Sequence, residues 1–164
     1  METLLEGRSR MPFYTDMRLV FRAIEGRQQD FNWLITNLEF EGHNVDYDRP
    51  PPFSDDPVHW TSGEILTRIV DEYDMQFVWA VLSGFPPTVD LDPQSLEVEP
   101  FADGNRVLWS ANPRIQHPLA QIEIVCWDSS ATLLLCDDRS IGESFRRFFP
   151  EAVDLAEHNW SKFG

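Results

Sequence analysis

Two strand-like runs joined by a short polar turn constrain the fold of this chain more than any other feature of its sequence. Residues 121–128 (QIEIVCWD) and 131–137 (ATLLLCD) are rich in apolar and β-branched residues, and they flank Ser129-Ser130. Two such runs around a turn signal predict an antiparallel β-hairpin. An isolated hairpin is at best marginally stable in water, so the rest of the chain must supply further strands or helices to pack on it.

The two cysteines depend on the register of this hairpin. If the loop has an even number of residues, Cys126 lies opposite Leu133 and Cys136 lies opposite Glu123. Side chains alternate between the faces of a strand, so the two thiols then point to opposite sides of the sheet. This register predicts that both cysteines are buried and reduced, and that they form no disulfide.

Apolar periodicity predicts the remaining elements. Strands are predicted, in chain order, over 17–24, 38–41, 75–82, 95–101 and 106–110, the last two joined by a turn at Asp103-Gly104-Asn105. Helices are predicted over 28–37, after a cap at Thr61 or Ser62, after a cap at Ser140, and again over 152–160.

The order of these elements predicts an α+β fold. The strands gather late in the chain and do not alternate strictly with helices, which disfavours a parallel doubly wound sheet. We expect an antiparallel or mixed sheet of about five to seven strands, with about two or three helices packed mainly on one face. Residues 1–164 are predicted to form a single domain, in which 1–12 is a loose lead-in and 42–60 is a long loop rich in proline and aspartate.

Net charge is the strongest constraint on partners. The chain has 28 Asp and Glu residues against 13 Lys and Arg residues, which gives a formal net charge of −15. Such a field repels nucleic-acid phosphates and anionic membrane surfaces, and it favours a basic protein partner. Solubility alone, or a salt-rich host, explains the same composition. No apolar run approaches the ~20 residues needed to span a bilayer, and no secretory signal is present, so we expect no membrane partner and a cytoplasmic location.

The 42–60 loop carries the residue types of a divalent metal site. His43, Asp46, Asp48, Asp55, Asp56 and His59 all lie in it, and hard cations prefer several carboxylate oxygens. Their spacing lacks the central glycine and the terminal glutamate of an EF-hand loop. Acidic residues in a proline-rich loop are normally solvated, so we expect no bound metal.

A catalytic nucleophile has candidates at the hairpin. Cys126, Ser129 and Ser130 lie near Asp128 in the sequence, and His117 precedes the same hairpin. A nucleophile needs a base within hydrogen-bond reach. Cys126 is predicted to face the core and the two serines to form an ordinary turn. The chain also lacks a glycine-rich phosphate loop and a dinucleotide fingerprint. We therefore predict no catalytic residue and no cofactor.

These features favour a binding protein over an enzyme. We expect a non-enzymatic, acidic protein-binding domain whose partner is basic, because complementary charge speeds encounter and selects the partner. The predicted contact residues are four carboxylates and two aromatic anchors of the long loop: Asp46, Asp48, Asp55, Asp56, Phe53 and Trp60. In its small size, acidity and aromatic content the chain resembles immunity proteins that cover basic nuclease toxins. The alternative is a small hydrolase or a metal-dependent enzyme that uses the acidic 42–60 loop.

Overall fold

The protein is described by a computed structural model, which covers residues 1–7, 9–42, 51–53 and 57–163. Within these residues, seven strands form one sheet in which all neighbouring strands are antiparallel. The strands are β1 (Glu2–Leu5), β2 (Asn32–Gly42), β3 (His59–Ser62), β4 (Met75–Phe85), β5 (Ile122–Trp127), β6 (Ala131–Cys136) and β7 (Val153–Asp154). The helices are α1 (Met17–Ala23), α2 (Gly63–Glu72), α3 (Arg139–Phe148) and α4 (Leu155–Phe163), and a short 3-10 turn spans Arg27–Asp30.

The predicted α+β class with an antiparallel sheet is confirmed. The spatial order of the strands is β3-β2-β4-β5-β6-β1-β7, so the hairpin of β5 and β6 lies in the centre of the sheet. The helix after Ser62 is also confirmed, because the Ser62 hydroxyl accepts the backbone N–H of Ile65 at 3.3 Å and so caps α2. The apolar run over 75–82 forms β4, which extends to Phe85 and is covered on both faces.

Three helices cover one side of the sheet, which we call the first face. Helices α1, α2 and α3 bury their apolar stripes here, with Phe21, Leu66 and Phe145 each less than 5% exposed. These side chains pack in one core with Trp33 and Phe77 of the sheet. The opposite side, the second face, is covered by α4 and by residues 86–121, which connect β4 to β5 without a strand or a long helix.

The region 17–24 is a helix, so the predicted strand is wrong. The Asp16 carboxylate accepts the backbone N–H of Arg18 at 3.1 Å and caps α1. The buried stripe is Met17, Val20 and Phe21, which follows the helical period. The alternation that predicts a strand is present in the same residues. In so short a run both periods fit, and the cap decides between them.

The region 28–37 is mostly strand, so the predicted helix is also wrong. Trp33 and Ile35 face the first side of the sheet, and Leu34 and Thr36 face the second, all with 0% exposure. A central strand that is buried on both faces is apolar almost throughout, and its residues can then match helical spacing by chance. The predicted short strand at 38–41 is the continuation of β2.

Two further expectations about local structure are wrong. Residues 95–101 are irregular and residues 106–110 form a turn, in which Trp109 donates its backbone N–H to the Arg106 carbonyl at 3.2 Å, so the predicted strands are absent. The turn between them is present, because Asn105 donates its backbone N–H to the Ala102 carbonyl at 2.9 Å. The segment 1–12 is not a loose lead-in throughout. Residues 2–5 form β1, which pairs with β6 on one side and with β7 on the other.

The hairpin of β5 and β6 is confirmed, but its register differs from the prediction. Trp127 pairs with Ala131, so the loop has three residues, and Asp128 and Ser129 adopt positive φ of 45° and 48°. Because the loop has an odd number of residues, the side chains of β6 face the opposite side of the sheet from the one predicted relative to β5. Cys126 and Cys136 therefore share the first face, where both are buried and free.

Helix α3 begins earlier than predicted. The cap is the Asp138 side chain, which accepts the backbone N–H of Ser140 at 2.9 Å, and Ser140 itself lies within the helix. The C-terminal helix over 155–163 agrees with the expectation of a short helix after Pro150. None of the helices formed by the described residues has the length and apolar character that crossing a membrane requires.

We predict that β1 is essential for stability. Replacing the fully buried Leu4 by alanine removes apolar contacts on the second face and should lower the free energy of unfolding by about 2–5 kcal/mol. The exposed Glu6, two residues later, provides the control, and Glu6→Ala should change it by less than about 0.5 kcal/mol. Urea denaturation measures both. A loss below about 1 kcal/mol for Leu4→Ala would contradict a paired, buried β1.

Candidate functional site on the crossover segment

The connection between β4 and β5, residues 86–121, is called the crossover segment below. It joins two neighbouring antiparallel strands, which a short turn could have joined. The chain instead runs over the second face. Ala102 and Leu108 are fully buried against the sheet, and Leu91 and Leu96 pack around Phe85. Long irregular connections of this kind are often functional.

Side chains of the sheet hold the crossover segment in place. Asn37 has a positive φ of 54° at an irregularity in β2, and its side-chain oxygen accepts the backbone N–H groups of Ala102 and Asp103 at 2.9 and 3.1 Å. The Thr36 hydroxyl donates to the Pro100 carbonyl at 2.6 Å. These bonds replace the backbone hydrogen bonds that a regular strand would make with its neighbour, so the segment has a defined path.

Glu123 of β5 is the central polar anchor. It has 0% exposure, and its carboxylate accepts both the backbone N–H and the side-chain amide of Gln116, at 3.0 and 2.9 Å. Gln116 in turn accepts the Asn105 side-chain amide at 2.9 Å. Burial raises the pKa of Glu123 to about 7, and the hydrogen bonds from Gln116 and Ser83 oppose that rise.

A cavity of about 260 Å³ opens on the crossover segment. We call it the acidic pocket, and its lining combines carboxylates, aliphatic side chains and one imidazole: Asp90, Leu91, Asp92, Ser95, Leu96, Glu97, Val98, His117, Pro118 and Leu119. Asp92 is held by its own turn, because it accepts the backbone N–H of Gln94 and the hydroxyl of Ser95, both at 3.0 Å. Asp90 and Glu97 are exposed and make no side-chain hydrogen bond or ion pair with the described residues.

Charges are arranged differently on the two sides of the sheet. Arginines on the helical side form ion pairs, for example Arg18 with Asp16 at 3.1 Å and Arg147 with Glu25 at 3.2 Å. On the crossover segment the carboxylates form no ion pair with a described residue. Every charged residue between Arg68 and Arg106 is acidic. This run of acidic residues is the sequence signal for the surface, and the net charge of the whole chain does not reveal it.

His117 lies at the wall of the acidic pocket. It is only 6% exposed, and its ring meets Phe85 edge to face at a centroid distance of 4.8 Å. Its Nδ1 accepts the backbone N–H of Leu119 at 3.2 Å, which leaves the proton of the neutral ring on Nε2. Burial lowers the pKa of His117, so the ring is neutral near pH 7. His117 also lines a second cavity, of about 250 Å³, near Arg114.

A larger and more apolar cavity lies at the far end of β5. We call it the tryptophan pocket; it has about 490 Å³ and is lined by Gly104, Asn105, Arg106, Trp109 and Trp127. The two indoles meet edge to face at 5.0 Å, and Trp79 packs on Trp127 at the same distance. The polar network described above reaches this pocket, because Asn105 is bonded to Gln116.

Of the six predicted contact residues, two are described by the structure. The other four lie outside the described residues: Asp46, Asp48, Asp55 and Asp56. Phe53 is 5% exposed and packs in the core of the first face, beside His59 at a ring distance of 4.7 Å.

Trp60 is half-buried and packs on Phe85 at 5.5 Å, together with the apolar residues of the crossover segment on the second face. The two proposed anchors therefore lie on opposite faces of the sheet. Only Trp60 borders the surface described here.

The residues considered for nucleophilic catalysis are not brought together. His117 packs near the start of β5, whereas Ser129 and Ser130 form the turn at its end. The Ser130 hydroxyl donates to the Trp127 carbonyl at 3.0 Å. Burial raises the pKa of the Cys126 thiol, which disfavours the reactive thiolate.

Most of the residues considered for a metal site, namely His43, Asp46, Asp48, Asp55 and Asp56, lie outside the described ranges. His59 belongs to β3, and its Nε2 is buried from solvent with no hydrogen-bond partner among the described residues. Among the described residues, no group of three or more His, Cys, Asp or Glu side chains could hold a metal ion. The expectation of no bound metal stays a prediction.

The described elements define an α+β protein with one antiparallel sheet covered on both faces. Comparisons of the chain with protein-family models, with curated proteins and with solved structures give no match. Function is therefore inferred from the residues of the crossover segment and the surfaces beside it.

We predict that both thiols are inert in the native protein. Cys126 and Cys136 are 0% and 2% exposed, and burial raises the pKa of each. A disulfide reagent such as DTNB at pH 8 should label neither thiol in the folded protein and both after denaturation. The variant Ser130→Cys, which adds an exposed thiol, should react at once. Equal labelling rates for the native protein and the variant would show that the native thiols are exposed.

We also predict a pH dependence of stability that originates at Glu123. Its folded pKa of about 7 exceeds the unfolded value of 4.5, so folding favours the protonated form. The stabilising effect is complete below pH 4.5 and is lost as the pH rises to about 7. Over this range, Glu123 should lower the free energy of unfolding by about 2–3 kcal/mol.

The variant Glu123→Gln cannot titrate and separates this effect from that of the other carboxylates. The variant should lose about 1 kcal/mol at every pH, because one hydrogen bond is not made. From pH 5 to pH 8 the native protein should lose further stability and the variant should not, so the stability of the variant relative to the native protein should increase. Urea denaturation at the two pH values measures this, and the exposed Glu39→Gln serves as the control. Parallel pH profiles for the native protein and Glu123→Gln would contradict the prediction.

Proposed function

We propose that this chain is a non-enzymatic protein-binding domain that binds a basic protein partner through the crossover segment. The acidic loop residues Asp46, Asp48, Asp55 and Asp56 remain proposed contact residues. In its most specific form, the proposal is an immunity or antitoxin role, in which the domain covers a basic, nuclease-like partner. Burial of Phe53 leaves Trp60 as the better placed of the two predicted anchors.

The carrying observation is that the carboxylates of the crossover segment have no counter-ions in the part of the chain that the structure describes. Asp90, Glu97, Glu99 and Asp103 are exposed, and their side chains form no ion pair with any described residue. Like charges held together repel one another and raise the local negative potential. A basic surface relieves this repulsion on binding, and it is also attracted at long range before contact.

The apolar surfaces near these charges fit the anatomy of protein interfaces. Interfaces usually combine an apolar centre with a polar rim, and aromatic side chains are enriched in the centre. The tryptophan pocket offers such a centre on the same segment as the carboxylates. Phe101 and Val107, which are 49% and 50% exposed, add apolar surface. We infer that an apolar side chain of the partner enters this pocket while basic residues meet the carboxylates.

We predict that charge reversal on the crossover segment slows association. The native protein, used as bait in a lysate of its host, should capture a basic protein that high salt releases. With that protein purified, Asp90→Lys combined with Glu97→Lys should slow association at low salt by about tenfold or more and flatten its salt dependence. Dissociation should change less, because exposed charges act mainly during encounter. Stopped-flow kinetics at two ionic strengths measures both rates.

The matched control makes the same change of net charge on the other side of the sheet. Glu64 and Asp71 are exposed on α2, and Glu64→Lys combined with Asp71→Lys should leave association nearly unchanged. Melting curves establish that both double variants fold. Equal slowing by the two double variants would show that only net charge matters. Capture of no basic protein would remove the support for a binding role.

A further inference from the structure

The acidic pocket has the charge of a cation site, but its geometry is not that of a metal site. Asp90, Asp92 and Glu97 surround one cavity, and the chain has no Lys or Arg between Arg68 and Arg106 to neutralise them. Calcium takes six to eight oxygen ligands at close range. No described group of three such side chains is close enough to hold a metal ion. The cation that fits must therefore be large and have several donors.

The walls of the pocket indicate a side chain rather than a free ion. Between the carboxylates lie aliphatic residues of the crossover segment, among them Leu91, Leu96 and Val98. Leu119, which is 54% exposed, continues this apolar surface to the rim. Arginine and lysine combine an apolar stem with a charged head, so they can cover such walls while the charge stays among the carboxylates. Arginine fits better because its planar guanidinium presents five N–H donors to several acceptors at once.

His117 supplies an independent sign of a ligand. This side chain is more than nine-tenths buried, and its Nδ1 is already occupied by the Leu119 N–H. Nε2 has no hydrogen-bond partner among the described residues, and it keeps some exposure to solvent. The neutral ring therefore offers an N–H donor at the wall that the acidic pocket shares with the cavity near Arg114. An arginine side chain has no acceptor for this donor, but a peptide carbonyl does.

We infer that the acidic pocket binds one arginine residue of a basic polypeptide, which deepens the proposed function and rests on it. The guanidinium lies among Asp90, Asp92 and Glu97, the aliphatic stem covers the leucines, and a main-chain carbonyl of the same peptide accepts from His117 Nε2. The turn that fixes Asp92 and the buried setting of His117 hold two of these groups in place before binding, which reduces the entropy lost on association.

The test uses two capped tripeptides that differ only in charge. Acetyl-Gly-Arg-Gly-amide carries a guanidinium, and the corresponding citrulline peptide carries a neutral urea of the same shape. Titration of ¹⁵N-labelled protein, followed by NMR at low salt, should give a dissociation constant about tenfold lower for the arginine peptide. The amide signal of Leu119, which donates to His117, should shift during the titration. Equal affinity for the two peptides, or no binding of either at millimolar concentration, would overturn the inference.

Variants separate the charge from the carbonyl contact. Asp90→Asn combined with Glu97→Gln should abolish the preference for arginine over citrulline, whereas Glu64→Gln combined with Asp71→Asn on α2 should retain it. His117→Phe should weaken both peptides by a similar factor and leave their ratio intact, because the contact it removes is uncharged. Retention of the full preference in the pocket variant would place the arginine elsewhere and overturn the inference.

The same variants distinguish this inference from the proposed function. If the Asp90→Asn, Glu97→Gln protein captures the basic partner with unchanged association and dissociation rates, the arginine pocket is wrong and the broader binding role stands. If the arginine peptide binds with the expected preference and no basic protein is captured, the pocket is supported and the proposed function loses its support.

Discussion

The fold depends on the need to cover both faces of one apolar sheet. Strands β2, β4 and β5 bury side chains on the two sides alternately, as Trp33 and Leu34 do with 0% exposure each. Helices α1 to α3 cover the first face. On the second face, α4 covers one end with its first residue, Leu155, and the crossover segment covers the rest. An irregular chain can take this position only if its backbone groups find partners other than a ladder.

Those partners are polar side chains of the sheet, and they explain why a carboxylate is buried. Glu123 accepts two N–H groups of Gln116, and Asn37 accepts two backbone N–H groups near Ala102. Desolvation of the carboxylate raises the pKa of Glu123, so this anchoring disfavours the charged form. Removing either partner of such a buried contact leaves an unsatisfied group, so the network favours one path for the segment.

The sequence predicts those elements whose local signals agree with their tertiary setting. Helix α2 has a cap at Ser62 and a regular apolar stripe, and β4 is a long apolar run that ends near Pro86. Residues 17–24 are predicted as a strand but form a helix, and residues 28–37 are predicted as a helix but form mostly strand. Both predictions are wrong because short apolar runs fit the helical and the strand period equally well. The two thiols share a face because the hairpin loop has three residues, a feature that composition does not determine. The acidic pocket is not predictable from the sequence, because residues 90–98 and His117 are brought together only by the path of the segment over the sheet.

The position of the acidic pocket on an irregular but anchored segment has a consequence for recognition. Loops carry binding residues well because they lie on the surface and tolerate change, but a flexible loop loses entropy when it binds. Here the turn at Asp92, the bonds from Asn37 and Thr36 and the packing of His117 on Phe85 fix the segment in the free protein. The exposed carboxylates then act from a preorganised surface. On the helical side, Arg18 and Arg147 each form an ion pair with a nearby carboxylate. The fixed carboxylates thus follow from how the second face is covered: the segment is irregular, so its acidic side chains reach solvent, and its bonds to the sheet hold them in a defined arrangement.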